Sequence, residues 1–389
     1  MTLRPDPVEP FHAIALSRLA RQLEGEGRSI IHMEFGQPST GAPAAAIARA
    51  QDVLANDPGS YWESEPLKSR IAQLYAARHG VTVAPERIIL TCGASPALVL
   101  ALSAAFRAGD RIAMARPGYV AYRNNVRALG MEPVEIACGQ DSRYQITAAH
   151  LAALDPAPDG VIIASPANPT GTIIPADEMA AIAAVCRARG IRIVSDEIYH
   201  GLSYSGPVPS ALEFAPDALV VNSFSKYFSM VGWRLGWLVA PDDLLGAARA
   251  RMGNLFLTPP TLSQHAGLVA MDCVPELEEH IARYAANRAL MLAAMPAMGL
   301  TKIAPPDGAF YIWADVSHLT DDAMVLAEQL LRATGVATAP GFDFDPVDGH
   351  RFLRFSFAVS TPLVEDAIAR MTPWFQAQGF RAQGLQAGA

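Results

Sequence analysis

The chain has 389 residues, of which 51% are apolar and 17% charged, with a formal net charge of −8. That length exceeds the size at which single cores stop growing and implies two folding units. Acidic charge scattered along the chain, without a basic run, speaks against a nucleic-acid surface. The start, MTLRPDPVEP, has no apolar run behind it; no apolar stretch reaches bilayer length; and Cys92, Cys138, Cys186 and Cys273 form no C-x-x-C pair. The expectation is a reduced cytoplasmic enzyme without secretory signal, membrane span, disulfide framework or metal site.

From residue 44 onward the chain alternates between helical and strand patterns. Residues 45–56 and 66–80 carry amphipathic helical spacing. A short apolar run, RIILTC (87–92), precedes a helix over 96–109 that glycine closes. RIAMA (111–115), a helix over 119–130 and EPVEI (132–136) follow. GVIIA (160–164) leads through a Pro/Asn/Gly loop into a helix over 176–190, then IRIVS (191–195) and ALVVN (218–222). Apolar strands separated by helices predict a mostly parallel sheet with helices on both faces. After residue 275 the pattern changes: a long helix (275–295), GAFYIWADV (308–316), a helix (322–335) and RFLRFSFAV (351–359) read as a smaller α+β unit. The expected division is 1–40 as an N-terminal segment packing with the small unit, 41–280 as the large unit and 281–389 as the small one. The Gly/Gln/Ala tail after 378 has the composition of a disordered end.

Open α/β sheets bind ligands outside the carboxyl ends of their strands, so the residues after each strand are the informative ones. GASPAL follows the first strand: Ser95 suits an N-cap and Pro96 a first helical position, while Gly93 and Ala94 permit close backbone approach to an anion at the helix start. SPANPTG places Asn168 at the sheet edge, its amide able to donate. DEIYHG places Asp196 at a strand end, where a carboxylate needs a partner, and Tyr199 three residues on; a lone His200 beside a turn is ordinarily structural. SFSKYFSMVGWR supplies the hydroxyls of Ser223 and Ser225, a planar guanidinium at Arg234, and Lys226, whose amine becomes a nucleophile toward carbonyls when desolvated. DFDPVDG (343–349) lacks the spacing and closing Glu of a calcium loop and reads as an ordinary loop. Each feature alone has a bland structural explanation. Together they suit one ligand, with a phosphate, a ring nitrogen, a ring hydroxyl and a carbonyl: pyridoxal 5'-phosphate.

With SFSK…GWRLGW, SPANPTG, SDEIYHGLSY, TCGASPAL, GAFYIW and RFLRFSFAVS in this order, the chain resembles the class I/II aminotransferases, the fold-type I pyridoxal-phosphate enzymes, from about residue 14 to 375. The resemblance implies an aspartate-aminotransferase-like α/β fold with a mostly parallel seven-stranded sheet and a smaller α+β domain. It implies a Schiff base at Lys226, Asp196 against the pyridine nitrogen, and Asn168 and Tyr199 on the ring hydroxyl. Gly93, the Ala94 and Ser95 N–H groups, Ser223 and Arg234 would hold the phosphate, and Tyr119 would stack on the ring. Arg354 would grip the substrate carboxylate, with Asn168 and Gly36 beside it. The implied assembly is a homodimer with the site at its interface, Tyr61 reaching the phosphate from the partner subunit, although YWESEPLKSRIA is shorter than the family's pattern there. The implied reaction moves an amino group between an amino acid and a 2-oxo acid; the same cofactor chemistry also serves a C–S β-lyase, and a cofactor-binding regulatory domain is a further alternative. Residues 253–267 stand where relatives build part of the substrate pocket; they contain no Arg or Lys, so with Phe256, Leu257 and Leu262 there the resemblance implies a neutral apolar or aromatic donor, unless Arg123 or Arg127 enters the pocket.

Overall fold

The computed structural model describes Val8 and residues 10–386, with side chains through Gly379. Residues 1–7, 9 and 387–389, assigned above to the N-terminal segment and the tail, lie outside the described residues. Twelve strands are named in chain order: β1 (Ile31–His32), β2 (Ile88–Thr91), β3 (Arg111–Arg116), β4 (Glu132–Ala137), β5 (Gly160–Ala164), β6 (Arg192–Asp196), β7 (Leu219–Ser223), β8 (Gly236–Val239), β9 (Tyr311–Asp315), β10 (Val336–Ala337), β11 (Ala339–Pro340) and β12 (Phe352–Ser356).

Seven strands form one sheet in the order β2-β8-β7-β6-β5-β3-β4. Only β8 runs against the rest, pairing antiparallel with both β2 and β7. It is the strand that periodicity did not reveal, because four residues, GWLV, directly follow a turn and look like part of a binding motif. The alternation of side chains along each strand divides the core between the sheet's faces. Val161, Ile163, Ile193 and Val220 enter one apolar cluster; Ile162, Val194, Leu219 and Val221 enter the other.

The flanking helices carry legible stop and start signals. In the helix Glu65–His79 the Ser64 hydroxyl accepts from Leu67 N at 3.2 Å, and Gly80 ends it at φ 64°. The helix Ala176–Arg189 has Asp177 and Glu178 in its first turn, Arg187 and Arg189 in its last, and Gly190 at φ 70°. Carboxyl ends of β5, β6 and β7 thus open on one edge, where Asn168, Asp196 and Lys226 follow.

A second sheet, β11-β12-β9, is antiparallel, and β1 pairs in parallel with β10. The helix His12–Gly25 packs on β10, β11 and the helix Ala323–Thr334. The helix Thr361–Gln386 continues into the tail that composition marked as disordered. Its buried side chains Val364, Ala367, Met371 and Phe375 recur at helical spacing and lie before that tail.

Candidate active site

A cavity of ≈ 370 Å³ opens at the carboxyl edge of the large sheet. Ten of the residues singled out from sequence line it: Gly36, Ala94, Ser95, Tyr119, Asn168, Asp196, Tyr199, Lys226, Arg234 and Arg354. They come from seven separate stretches of chain, so the fold, not local sequence, converges them.

Asp196 ends β6 and is buried, its Oδ2 accepting from the Tyr122 hydroxyl at 2.7 Å and its Oδ1 from Ile198 N at 3.1 Å. Burial raises its pKa, while the Tyr122 hydrogen bond works in the opposite direction. Lys226 lies in the turn after β7 and donates to the Gly36 carbonyl at 2.5 Å. Burial, followed by the neighbouring Arg354 charge, lowers the Lys226 pKa from 10.5 to about 8, leaving an amine that releases its proton readily.

The helix Ala94–Ala105 starts earlier than the expected Ser95 cap. Gly93 is the N-cap, at φ 100°, and Ser95 and Pro96 are already helical. Only glycine adopts this backbone without strain. A Cβ there would stand 2.7 Å from Arg234 Nη2, so Gly93 also makes room for the guanidinium. Arg234 itself sits in a left-handed turn and donates to the Val231 carbonyl at 3.0 Å. Its cation and the unpaired first-turn N–H groups of Ala94 and Ser95 therefore share one rim, suited to a phosphate.

Arg354, in the middle of β12, has the most ordered surroundings. Nη1 donates to Asn168 Oδ1 at 2.8 Å and Nη2 to the Glu34 carbonyl at 2.5 Å. The guanidinium lies between the Tyr311 and Phe344 rings, 4.5 and 4.6 Å from their centroids. Its Nε is buried without a partner. Tyr199 shares a 2.6 Å hydroxyl contact with Tyr311. A Cβ on Gly36 would lie 2.2 Å from the Tyr311 hydroxyl, which gives that glycine a steric purpose besides its carbonyl.

Three expected residues stand elsewhere. Gly93 contributes through Arg234 and does not line the cavity itself. Ser223 is buried, its hydroxyl donating to the Leu235 carbonyl at 3.0 Å and lying 2.9 Å from Ser225 Oγ, and it is Ser225 that faces the cavity. The cause is positional: Ser223 still belongs to β7, whereas Ser225 lies in the turn beyond it. Tyr61 is 82% exposed and does not line the cavity of its own chain.

The segment 253–267 also departs from expectation. Phe256 packs against the second core cluster, Leu262 against the first, and Leu257 is exposed. Phe256 and Leu257 follow the helix Asp242–Leu255, and Leu262 lies in the helix Thr261–Ala270. The apolar lining comes instead from Phe11, Ile14, Phe35, Ile198, Val231 and Phe344. Neither Arg123 nor Arg127 lines the cavity, and Arg123 pairs with Glu135 at 2.9 Å. Sequence reasoning also missed Tyr122, although it follows Tyr119 at helical i,i+3 spacing. Tyr311 lay within GAFYIW without a role assigned.

The donor set passes a chemical test for pyridoxal phosphate. An anion cradle, a carboxylate, a nucleophilic amine and two hydrogen-bonding groups all line one cavity, and Arg354 retains an unpaired buried Nε beside them. Among the described residues no group of three or more metal-ligating side chains occurs, and no helix is long and apolar enough to cross a membrane.

Comparison with known proteins agrees with this geometry. The family model described as aminotransferase class I and II matches residues 28–371. A valine–pyruvate aminotransferase of Mycobacterium tuberculosis is 45% identical over 378 residues, covering 95% of this chain and 97% of the relative. An aspartate/prephenate aminotransferase of Thermus thermophilus is 30% identical over 379 residues, covering 95% and 97%. The crystal structure of an aminotransferase from Mycobacterium tuberculosis superposes with a TM-score of 0.94 at 43% identity, covering 97% of this chain and 100% of that one. With the family model spanning most of its length and the fold shared throughout, this chain belongs to the class I and II aminotransferases and moves an amino group between an amino acid and a 2-oxo acid.

Proposed function

We propose that the enzyme uses pyridoxal 5'-phosphate and prefers an amino donor with a neutral, apolar side chain, with pyruvate as a suitable acceptor. The carrying observation is that the cations lining the cavity, among the described residues, are Lys226, Arg234 and Arg354, each already committed to another task. A distal carboxylate on the donor would find no further cation among the described residues lining the cavity, whereas Phe11, Ile14 and Phe35 offer it apolar surface. The valine–pyruvate specificity named for the Mycobacterium tuberculosis relative supports the same pairing.

In this reading Arg234, Ser225 and the Ala94 and Ser95 N–H groups hold the phosphate, Tyr119 covers the ring, and Asn168 and Tyr199 meet its hydroxyl. The bound cofactor supplies an electron sink for the carbanion formed at the donor's Cα. Asp196, oriented by the Tyr122 hydroxyl and Ile198 N, would face the ring nitrogen and hold its proton. Arg354 orients the donor by its carboxylate, and the Lys226 amine moves the Cα proton as base and then as acid. In the chain without cofactor, Lys226 Nζ donates to the Gly36 carbonyl.

The proposal extends to organisation. Residues 41–280 form the cofactor-binding unit and 281–389 the smaller one, with the 1–40 segment joined to it, as the β1–β10 pairing supports. The active form is a homodimer. Ile47, Leu54, Tyr61, Leu255 and Leu257 are exposed large apolar residues on adjoining segments, Thr261 Oγ1 donating to the Ser60 carbonyl at 2.7 Å and Trp62 stacking on His265. Such a surface needs a cover, and Tyr61 on it can reach a partner's phosphate site. Four free cysteines fit a cytoplasmic location. Steady-state kcat/KM for alanine, valine, phenylalanine and aspartate with 2-oxoglutarate, and for valine, phenylalanine and aspartate with pyruvate, tests the donor reading. Valine or another apolar donor should lead, and aspartate in first place would refute it.

A further inference from the structure

We infer that Asp343 is a positioning residue for the donor side-chain pocket: its carboxylate, held by the first turn of the helix His12–Gly25, sets where Phe11 and Ile14 stand over the cavity. The inference rests on the apolar-donor reading above and names what builds the pocket wall.

The helix His12–Gly25 lacks its own start signal. Phe11 at its N-cap offers no side-chain acceptor, and the first turn has no acidic residue. A helix start leaves N–H groups that need acceptors. Here the acceptor comes from a position 331 residues away: Asp343 Oδ1 accepts from His12 N at 2.7 Å and Oδ2 from Ala13 N at 2.8 Å. His12 Nδ1 also lies 3.0 Å from Oδ1. The Asp343 side chain is 2% exposed, and Asp343, Phe11, Ala13 and Ile14 all line the cavity. A carboxylate with both oxygens on backbone N–H groups at the positive end of a helix makes a directional, charge-assisted contact.

The turn bearing Asp343 fixes other walls of the same cavity. The adjacent Phe344 ring covers the Arg354 guanidinium, and the Phe344 carbonyl accepts from Gly118 N at 2.9 Å, next to Tyr119. Asp345 accepts from Arg116 Nη1 at 3.3 Å and from the N–H groups of Val347 and Asp348 at 2.9 Å. The turn has no slack, since a Cβ at Gly341 would lie 2.3 Å from the Gly349 carbonyl oxygen. DFDPVDG therefore spends its first two carboxylates on protein donors. The carboxylate-binding Arg354, the residue flanking Tyr119 and the apolar wall share one rigid frame. A wall held at a fixed distance from Arg354 measures the donor's side chain.

A plain helix cap would affect stability alone, so the two roles separate in a donor series. The test uses the holoenzyme and its Asp343→Asn, Ile14→Ala and doubly substituted variants. Each single variant should lower the valine-to-alanine ratio of kcat/KM by roughly tenfold, the scale of one or two buried methylenes. The Kd of 3-methylbutanoate relative to propanoate, measured by calorimetry, should rise in step. The double variant should lose little more than either single one, because both act on the same wall. A lowered Tm with an unchanged donor ratio, or strictly additive losses in the double variant, overturns the inference. Should Asp343→Asn not fold, Asp343→Glu, which pushes the helix outward by one methylene, serves as the second variant with the same expected fall in ratio. A wild-type enzyme favouring aspartate would sink the donor reading before any variant is compared, so the two failures are distinguishable.

Discussion

Replacing Arg354 by alanine removes the best-ordered cation in the cavity. Two of its nitrogens are already bonded, to Asn168 Oδ1 and the Glu34 carbonyl, while the Tyr311 and Phe344 rings hold the guanidinium plane. A substrate carboxylate would meet that plane in a two-pronged contact. Hydrogen bonds to charged groups contribute about 1.5–3 kcal/mol each, so losing two removes about 3–6 kcal/mol. At 1.4 kcal/mol per decade, kcat/KM should fall by roughly 10²–10⁴. Arg354→Lys keeps the charge but cannot fork, and should lose about one to two decades. The measurement is kcat/KM for alanine, valine and phenylalanine, with bound cofactor followed by absorbance and Tm as a folding control. All three donors share the carboxylate, so the losses should agree within a few-fold. An alanine variant within about threefold of wild type, or losses tracking side-chain size, would show that Arg354 does not anchor the common group.

Further expectations follow from neighbouring contacts. Lys226→Ala should retain cofactor but lose turnover by orders of magnitude, and borohydride reduction of the wild type should fix the cofactor to the Lys226 peptide. In cofactor-free protein the Lys226 pKa, lowered to about 8 by burial first and Arg354 second, means the unfolded chain keeps a proton that the folded chain lacks between about pH 8 and the ordinary 10.5; stability from this group therefore rises with pH across that window, and Lys226→Ala should remove that rise in a Tm-versus-pH series. Tyr122→Phe deletes the 2.7 Å hydrogen bond to Asp196 and should slow kcat by roughly tenfold with KM little changed, a hydrogen bond to a charged group being worth at least about 1.5 kcal/mol. Gly36→Ala should impair folding or activity because its Cβ would meet the Tyr311 hydroxyl at 2.2 Å, and Tyr311→Phe in the same chain should restore part of the loss, as a thermal-shift and activity pair would reveal.

The half of the cavity proposed to carry the chemistry was legible because topology makes it local. Asn168 and Lys226 follow parallel strands and Asp196 ends one, and apolar runs betray such strands even in one sequence. Precision failed at single-residue scale. Ser223 and Ser225 offer the same hydroxyl two positions apart, and only the end of β7 decides which one emerges into the cavity. The helix start at Ala94 was misplaced by two residues because Ser95–Pro96 is a persuasive local cap, and the need for Gly93 arises from Arg234 far along the chain. No window of sequence contains both halves of that contact.

The donor wall illustrates the same limit more strongly. Residues 253–267 looked apolar and free of cations, yet the composition of a segment says nothing about which face its helices turn inward; Phe256 and Leu262 are spent on the core. The wall is made by Phe11 and Ile14, residues preceding or opening a helix with no acidic residue to start it, held by an aspartate near the opposite end of the chain. Chemistry common to the family sits where short-range rules apply, after strands and at helix starts. Selectivity sits where two distant segments meet, and it can change there by substitutions that leave Lys226, Asp196 and Arg354 untouched. Sequence motifs therefore identify the reaction sooner than the donor, and the geometry around Asp343 supplies the missing constraint: a wall fixed relative to Arg354 measures a side chain by its distance from the carboxylate that every donor shares.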